Sequence, residues 1–231
     1  MGGAGMKREG VSALIFDLDR VLVKWQGSHD SEIPVNIIAG LAEARPDNLA
    51  RTIKLDDSDW ITSLAKYGVD PTDRETLEKI DDRLFTWVMS SSRAEIYPWV
   101  SGILPKLAKT KKLALLTNNG IKSARHHLGN LLDLFQVVKT WDNVPIDCKD
   151  IPLLKPAPDG VLAILQELKI KPEAALILED SMSGVIAGKK AGVRSALVCW
   201  EDNQQESLIK SLGLEEWVFT ILRDPNDLLE L

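Results

Sequence analysis

Cysteine is scarce in this chain: two in 231 residues. Cys148 and Cys199 have the spacing of neither a metal-ligand pair nor a redox pair. Thiolate metal centres and dithiol chemistry are thereby excluded, and a reducing compartment is the expected setting. Of the three histidines, the adjacent pair His126–His127 falls inside a helical pattern with no partner at metal-ligand spacing, so a packing role is expected. No apolar run approaches the length that crosses a bilayer. The opening "MGGAGMKREG" lacks the apolar core of a signal peptide. It begins Met-Gly, but Met6 stands where a myristoylation signal wants Ser or Thr. A basic surplus is absent too. The net charge is −6, which leaves no global field for nucleic acid. Internal repeats and low-complexity tracts are missing. These absences point to a cytoplasmic globular protein with no nucleic-acid or membrane partner.

What is present is a long alternation of strand-like and helix-like segments. "SALIF" is a continuous apolar run ending in "DLD", as expected of a parallel strand buried on both faces. From residue 24 to 95 the pattern turns helical, with no convincing strand. "EIPVNIIAGLAEARP" has helical spacing, "DDSDWITSLAKYGV" offers Asp56, Asp57 and Ser58 as caps, and a long stripe runs through Leu77, Ile80, Leu84, Phe85 and Val88. After Pro98 the alternation resumes: "KKLALL", "QVVKTW", "AALILE", "RSALVCW" and "WVFTIL" read as strands with helices between them. The expected fold is α/β: a Rossmann-like parallel sheet with helices on both faces, formed by residues 1–23 and 96–231, plus a small inserted all-helical cap at 24–95.

In such sheets ligands bind beyond the carboxyl ends of the strands. Those positions carry Asp17 and Asp19 after the first strand, Thr117 and Asn118 after another, and Glu179 and Asp180 after a third; Lys155 lies in "LLKPAPDG" before a helix. Four carboxylates at one small site need a counter-charge, because like charges at close range repel. An all-oxygen donor set suits a hard cation such as Mg²⁺. One carboxylate is then left to attack phosphorus. A metal and Lys155 would screen the charges, Thr117 and Asn118 would serve phosphoryl oxygens, and a second carboxylate would move the proton.

"DLDRVL", "LLTNN", "LLKPAPDG" and "LILEDSMSGVIAGKKAG" occur in the order and spacing of the four motifs of the haloacid dehalogenase-like hydrolase superfamily, and in this the chain resembles that superfamily over essentially its whole length. It is most similar to the branch with a helical cap after the first motif, which includes phosphoglycolate phosphatase-like and β-phosphoglucomutase-like enzymes. The resemblance implies that Asp17 is the nucleophile that becomes phosphorylated and a Mg²⁺ ligand. It implies that Asp19 is the general acid/base with its backbone carbonyl on the metal. Thr117, helped by Asn118, would bind the phosphoryl group and Lys155 would neutralise it. Asp180 would be an acidic metal ligand with Glu179 beside it, and Ser181 to Gly184 would open the next helix. Dehalogenases of the family lack the second aspartate, so Asp19 argues for phosphatase or phosphomutase chemistry on a small phosphorylated metabolite.

Other readings fit less well. "GVIAGKKAG" is not a P-loop, since only three residues separate Gly184 from Gly188 and Lys190 stands where Ser or Thr is needed; its small residues suit close helix–sheet packing. A two-component receiver domain has its acids and phospho-acceptor in a different order and no large insert. A silent binding protein on the same fold would not need every catalytic side chain. Phosphomutase remains the alternative to phosphatase. Arg45, Arg51, Lys54 and Arg93 are the candidate substrate contacts in the cap. Lys24 could meet an anionic substrate, Trp25 and Trp99 flank the hinge, and Arg20 is expected to be a solvated loop residue.

Overall fold

The computed structural model describes residues 10–26, 32–41, 52–54, 59–91, 93–201 and 205–231. In chain order the strands are β1 (Ala13–Phe16), β2 (Val23–Gln26), β3 (Glu32–Pro34), β4 (Thr52–Lys54), β5 (Arg93–Ile96), β6 (Lys112–Leu116), β7 (Val137–Lys139), β8 (Ala175–Glu179), β9 (Arg194–Val198) and β10 (Val218–Leu222). The α-helices are α1 (Trp60–Leu64), α2 (Arg74–Ser91), α3 (Val100–Leu107), α4 (Ile121–Leu128), α5 (Asp159–Leu168), α6 (Met182–Ala191) and α7 (Gln205–Ser211). Six strands form one parallel sheet in the order β10-β9-β8-β1-β6-β7.

The continuous apolar runs follow from two covered faces. In β1, Ala13 and Ile15 join one core cluster while Leu14 and Phe16 join another. The same alternation holds in β6 and β8, since successive side chains of a strand point to opposite faces. α5 presents Val161, Ile164, Leu165 and Leu168 to the first cluster, a helical stripe. α3 presents Val100, Ile103, Leu104 and Leu107 to the second. The sheet is therefore packed between helices, as its sequence pattern leads one to expect.

Between β1 and α3 the chain makes a long excursion. A tight turn follows β1, with the amides of Leu22 and Val23 both donating to Leu18 O at 2.9 Å. β2 then leaves the sheet's end and pairs antiparallel with the returning β5, so entry and exit of the insert are tied together. The insert carries α1 and α2, with α2 opened by Asp73, whose carboxylate accepts from Thr76 N and Thr76 Oγ1.

Strands inside 24–95 are a departure from the expected all-helical insert. Besides β2 and β5 there is an antiparallel pair, β3 with β4. These strands have three or four residues each and, apart from a bridge of Val23 to Asp19, pair with one another among the described residues, too short to show a period of two. The stripe Ile33, Ile37, Ile38 and Leu41 is indeed buried. Its backbone is a strand ending at Pro34 and then a 3-10 turn over Val35–Ile37, because proline has no N–H to continue a ladder or helix interior. The cap of α1 is Asp59, which accepts from Thr62 N at 3.1 Å; the expected caps Asp56, Asp57 and Ser58 lie outside the described residues. The expected helix from Ile121 onward breaks at Gly129, with φ +50°, and ends in a 3-10 turn over Gly129–Leu134. The insert packs on the sheet domain through one apolar cluster: Trp60, Ile61, Leu77 and Ile80 share it with Leu116, Trp141 and Val144.

Candidate active site

Asp17 is the first residue beyond β1, and its amide still donates to Leu178 O at 3.0 Å. Thr117 is the first beyond β6, and its amide donates to Lys139 O at 3.0 Å. The ladder thus holds the backbone of both residues while their side chains stand at the sheet's carboxyl edge. Glu179 is the last residue of β8, and Asp180 follows it. β8, β1 and β6 are neighbours at the centre of the sheet, so three strand ends far apart in sequence meet at one place.

Lys155 joins them. Its Nζ donates to Asp17 Oδ1 at 2.7 Å and also to Glu179 Oε1. All three groups are buried, and Glu179 has no solvent exposure. The other oxygen of Glu179 accepts from Ser181 Oγ at 2.9 Å. Asp17, Glu179 and Asp180 each offer an oxygen within 4.8 Å of the others. Burial raises the proton affinity of all three carboxyls. Lys155 opposes this at Asp17 and at Glu179, which still rises to about 7. Asp180 is pushed well above the usual carboxylate range by burial and then by Glu179 and Asp17. Burial alone would lower Lys155, but the two carboxylates outweigh it and hold the ammonium above its ordinary value. Three carboxylates against one ammonium leave an uncompensated negative charge in a dry place. That imbalance, and a donor set made only of oxygens, fits a hard divalent cation.

Asp19 stands outside this acidic trio, and its carboxylate accepts from Asn119 Nδ2 at 2.5 Å. Thr117 is buried, and its Oγ1 accepts from Asn119 N at 3.1 Å. Asn118 makes a reciprocal pair with the Lys155 backbone: Nδ2 donates to Lys155 O at 3.1 Å and Oδ1 accepts from Lys155 N at 3.0 Å. Its side chain therefore ties the loop of Lys155 to the turn after β6. Ser181 stands at the N-cap position of α6 with its hydroxyl turned to Glu179 instead of the helix, and Gly184 lies directly against Glu179, where a Cβ would fall 1.9 Å from Oε1. Gly188 likewise approaches Ile177 and the Val193 carbonyl too closely for a side chain, the close packing expected of this glycine-rich stretch.

Asn119 is not at a strand end and so carries no signal of that kind, although it belongs to the same "TNNG" turn. Trp60 and Trp141 carried no chemical signal at all. Trp60 Nε1 donates to Asn118 O at 3.1 Å, and its ring meets Trp141 edge-on at 5.6 Å. Arg20 is exposed, with φ +55°, a left-handed backbone uncommon outside glycine. Its charge reaches Asp180, where it opposes part of the burial. Of the other expectations, Lys24 pairs with Glu201 at 2.9 Å. Trp99 packs edge-on against Trp200 at 5.6 Å. His126 packs against Phe85. Arg45 and Arg51 lie outside the described residues, and Lys54 and Arg93 are placed as backbone of β4 and β5.

A family model described as haloacid dehalogenase-like hydrolase matches residues 14–198, from β1 through β9. The chain belongs to that family. Among curated relatives, hexitol phosphatase B of Escherichia coli (strain K12) is 28% identical over 193 residues, covering 81% of this chain and 83% of the relative. A haloacid dehalogenase-like family hydrolase from Streptococcus pneumoniae shares the fold with TM-score 0.58 and 18% identity, over 96% of this chain and 98% of that one. CbbY from Rhodobacter sphaeroides, solved in complex with phosphate, has TM-score 0.56 and 19% identity over 92% and 93% of the two chains. Among the described residues no helix is long and apolar enough to cross a membrane.

Proposed function

We propose that this protein is a Mg²⁺-dependent phosphatase of small phosphomonoesters, sugar phosphates or phosphoglycolate-like acids, acting through an aspartyl-phosphate on Asp17. The observation that carries the reading is the buried Lys155 ammonium held between Asp17 and Glu179, with Asp180 within reach of both carboxylates. The named phosphatase among the relatives supports the same chemistry. Residues 24–95 are taken as the cap over the core of 1–23 and 96–231.

In this reading Asp17 forms a bond to phosphorus as the ester oxygen leaves, and Asp19 gives that oxygen its proton. Asp19 then takes a proton from water. The water oxygen bonds to phosphorus, the Asp17–phosphorus bond breaks, and inorganic phosphate leaves. Lys155 screens Asp17 and the phosphoryl charge, and the Thr117 hydroxyl donates to a phosphoryl oxygen. Asp17 and Asp180, with Glu179 beside them and the Asp19 carbonyl, would hold the cation, which supplies Lewis acidity toward the phosphoryl group when bound. Glu179 has both oxygens engaged by Lys155 and Ser181, so its main task is to hold the lysine. The packed insert keeps bulk water away.

The test is phosphate release, with Mg²⁺, from a panel of sugar phosphates, phosphoglycolate, nucleotides and an aryl phosphate. Activity on at least one is expected, with loss of at least 10³-fold in Asp17→Asn, in the range of removed nucleophiles. Silence on the whole panel, or a fully active Asp17→Asn, would reject the assignment. Isomer interconversion without phosphate release would place the protein with the phosphomutases instead.

A further inference from the structure

We infer that Trp60, in the insert, is a positioning residue for Asp19: it fixes the peptide from which the orientation of that carboxylate is set. The inference rests on the phosphatase reading above, since it assigns Trp60 a part in the proton transfer proposed for Asp19.

The peptide between Asn118 and Asn119 is held at both polar ends. Its carbonyl, Asn118 O, accepts from Trp60 Nε1 at 3.1 Å. Its N–H, on Asn119, donates to Thr117 Oγ1 at 3.1 Å. The next carbonyl, Asn119 O, accepts from Trp141 N at 3.2 Å. With its peptide planes fixed, Asn119 has little freedom left except in its side chain, and that side chain donates to Asp19 Oδ2 at 2.5 Å. An amide donor on one oxygen orients the carboxyl group as a whole. The donor that completes this chain comes from a different part of the sequence, 58 residues upstream of Asn118.

Trp60 is well placed to act as such a donor. It is the first residue of α1, whose start is fixed by the Asp59 cap. It is buried, and its indole meets the indole of Trp141 edge-on at 5.6 Å. Arg74, also in the insert, lies over the other ring at 5.1 Å and donates to Asp142 O. The insert thus grips the Trp141 corner and the Asn118 carbonyl together. When the insert is seated, Asp19 is oriented. Without the Trp60 N–H, the Asn118 carbonyl loses this donor and the Asn119 peptide part of its constraint. Proton transfer is then coupled to the seated insert through a chain of named hydrogen bonds, and a partly buried hydrogen bond of this kind is worth enough to be read in a rate.

The experiment separates orientation of an acid from general stability by the leaving group. A general acid matters most when the departing alkoxide is a poor leaving group and little when it is an acidic phenol. Wild type, Trp60→Phe, Asn119→Ala and Asp19→Ala are each assayed on an alkyl phosphate from the panel and on an aryl phosphate with an acidic phenol. Trp60→Phe keeps an aromatic ring against Trp141 and removes the N–H together with part of the indole ring, so its loss is read as the difference between the two substrates. It is expected to lower kcat on the alkyl phosphate roughly three- to ten-fold, as loss of one such hydrogen bond does, with KM within two-fold and aryl phosphate turnover unchanged. Asn119→Ala should show the same selectivity, more strongly, and the double variant should be no worse than Asn119→Ala alone.

Equal losses on both substrates, or no loss on either, overturn the role of Trp60. Should Trp60→Phe fail to fold, the benzothiophene analogue of tryptophan at position 60, which lacks only the N–H, asks the same question with the same expected values. Asp19→Ala is the separate control. If the wild type releases phosphate from neither substrate, the phosphatase reading fails; if Asp19→Ala retains alkyl phosphate turnover, the acid role of Asp19 fails and the role of Trp60 falls with it. If Asp19→Ala loses that turnover while Trp60→Phe shows no selectivity, only the inference about Trp60 fails.

Discussion

A buried carboxylate with a donor on each oxygen cannot move aside for a neighbour, and Glu179 is such a group. Its oxygens accept from Lys155 and Ser181, and the α-carbon of Gly184 closes the remaining side. A methyl at position 184 would fall 1.9 to 2.3 Å from the Glu179 side chain, so Gly184→Ala must displace Glu179 and open its pair with Lys155. Overpacking and a disturbed buried ion pair together should cost about 2–4 kcal/mol. At this chain length that lowers the thermal midpoint by roughly 5–15 °C. Phosphate release should fall with it, because Lys155 loses one of its two anchors. A melt within 1–2 °C of wild type, about the size of a surface change, would show that Glu179 has room to yield. At this scale the sequence was legible wherever chemistry coincided with a strand end. Asp17, Glu179 and Asp180 could be named because apolar runs stop beside them, and Lys155 because it stands in the proline-flanked loop "LLKPAPDG". The contact of Asn119 with Asp19 could not, since it joins residues 100 apart across the gap between β1 and β6, and a single sequence does not reveal that pairing in depth.

α2 and α4 meet across the junction of insert and sheet domain, and their charges differ in kind. Lys122 of α4 pairs with Asp82 in an exposed contact, worth little by itself. Asp81, one residue earlier, points inward over Gly120, where a Cβ would sit 2.2 Å from its Oδ2. Burial raises its carboxyl to about 6, while Trp141 beside it and Lys122 oppose the shift and Asp142 and Asp82 add to it. A carboxyl whose folded value lies above its unfolded one favours the folded state when protonated. Its contribution is present below about pH 4, the unfolded value, and is lost as pH rises through about 6. Asp81→Asn removes this titration. The variant should match wild type near pH 4 and exceed it by roughly 1–3 kcal/mol at pH 8, read as a pH-dependent gap between two thermal melts. A gap that does not change with pH would reject the account. The six sheet strands could be read because they alternate with helices along the chain, whereas β3 and β4, three residues each, hold their place by pairing with one another and leave no periodic trace.

At the scale of the whole molecule, the acidic trio bridges strands that sit at the centre of the sheet. Asp17 follows β1, Glu179 ends β8, and Asp180 comes next; the two strands are hydrogen-bonded neighbours along their full length. The insert is no separate unit in packing terms, because its Trp60, Leu77 and Ile80 belong to the same apolar cluster as Ile15 of β1 and Ile177 of β8. Insert and sheet should therefore unfold in one transition, and anything that binds the trio should shift that transition as a whole. A cation at 100 times its dissociation constant stabilises the folded state by about 2.7 kcal/mol. In a chain of this size that is a rise of roughly 5–10 °C in the thermal midpoint. We expect this rise when Mg²⁺ replaces a chelator at pH 7.5, with the single transition preserved and no comparable effect of Na⁺ at equal ionic strength. Asp180→Asn should abolish most of the rise while melting, without metal, at least as high as wild type. The second expectation follows from the first: in the absence of a cation the half-buried Asp180 stands beside two buried carboxyls, which help hold its own well above the usual range, so neutralising it removes repulsion. A metal-dependent rise that survives in Asp180→Asn would move the cation away from the strand ends, and two separate transitions would show that the insert's share of the apolar cluster is too small to bind its unfolding to that of the sheet.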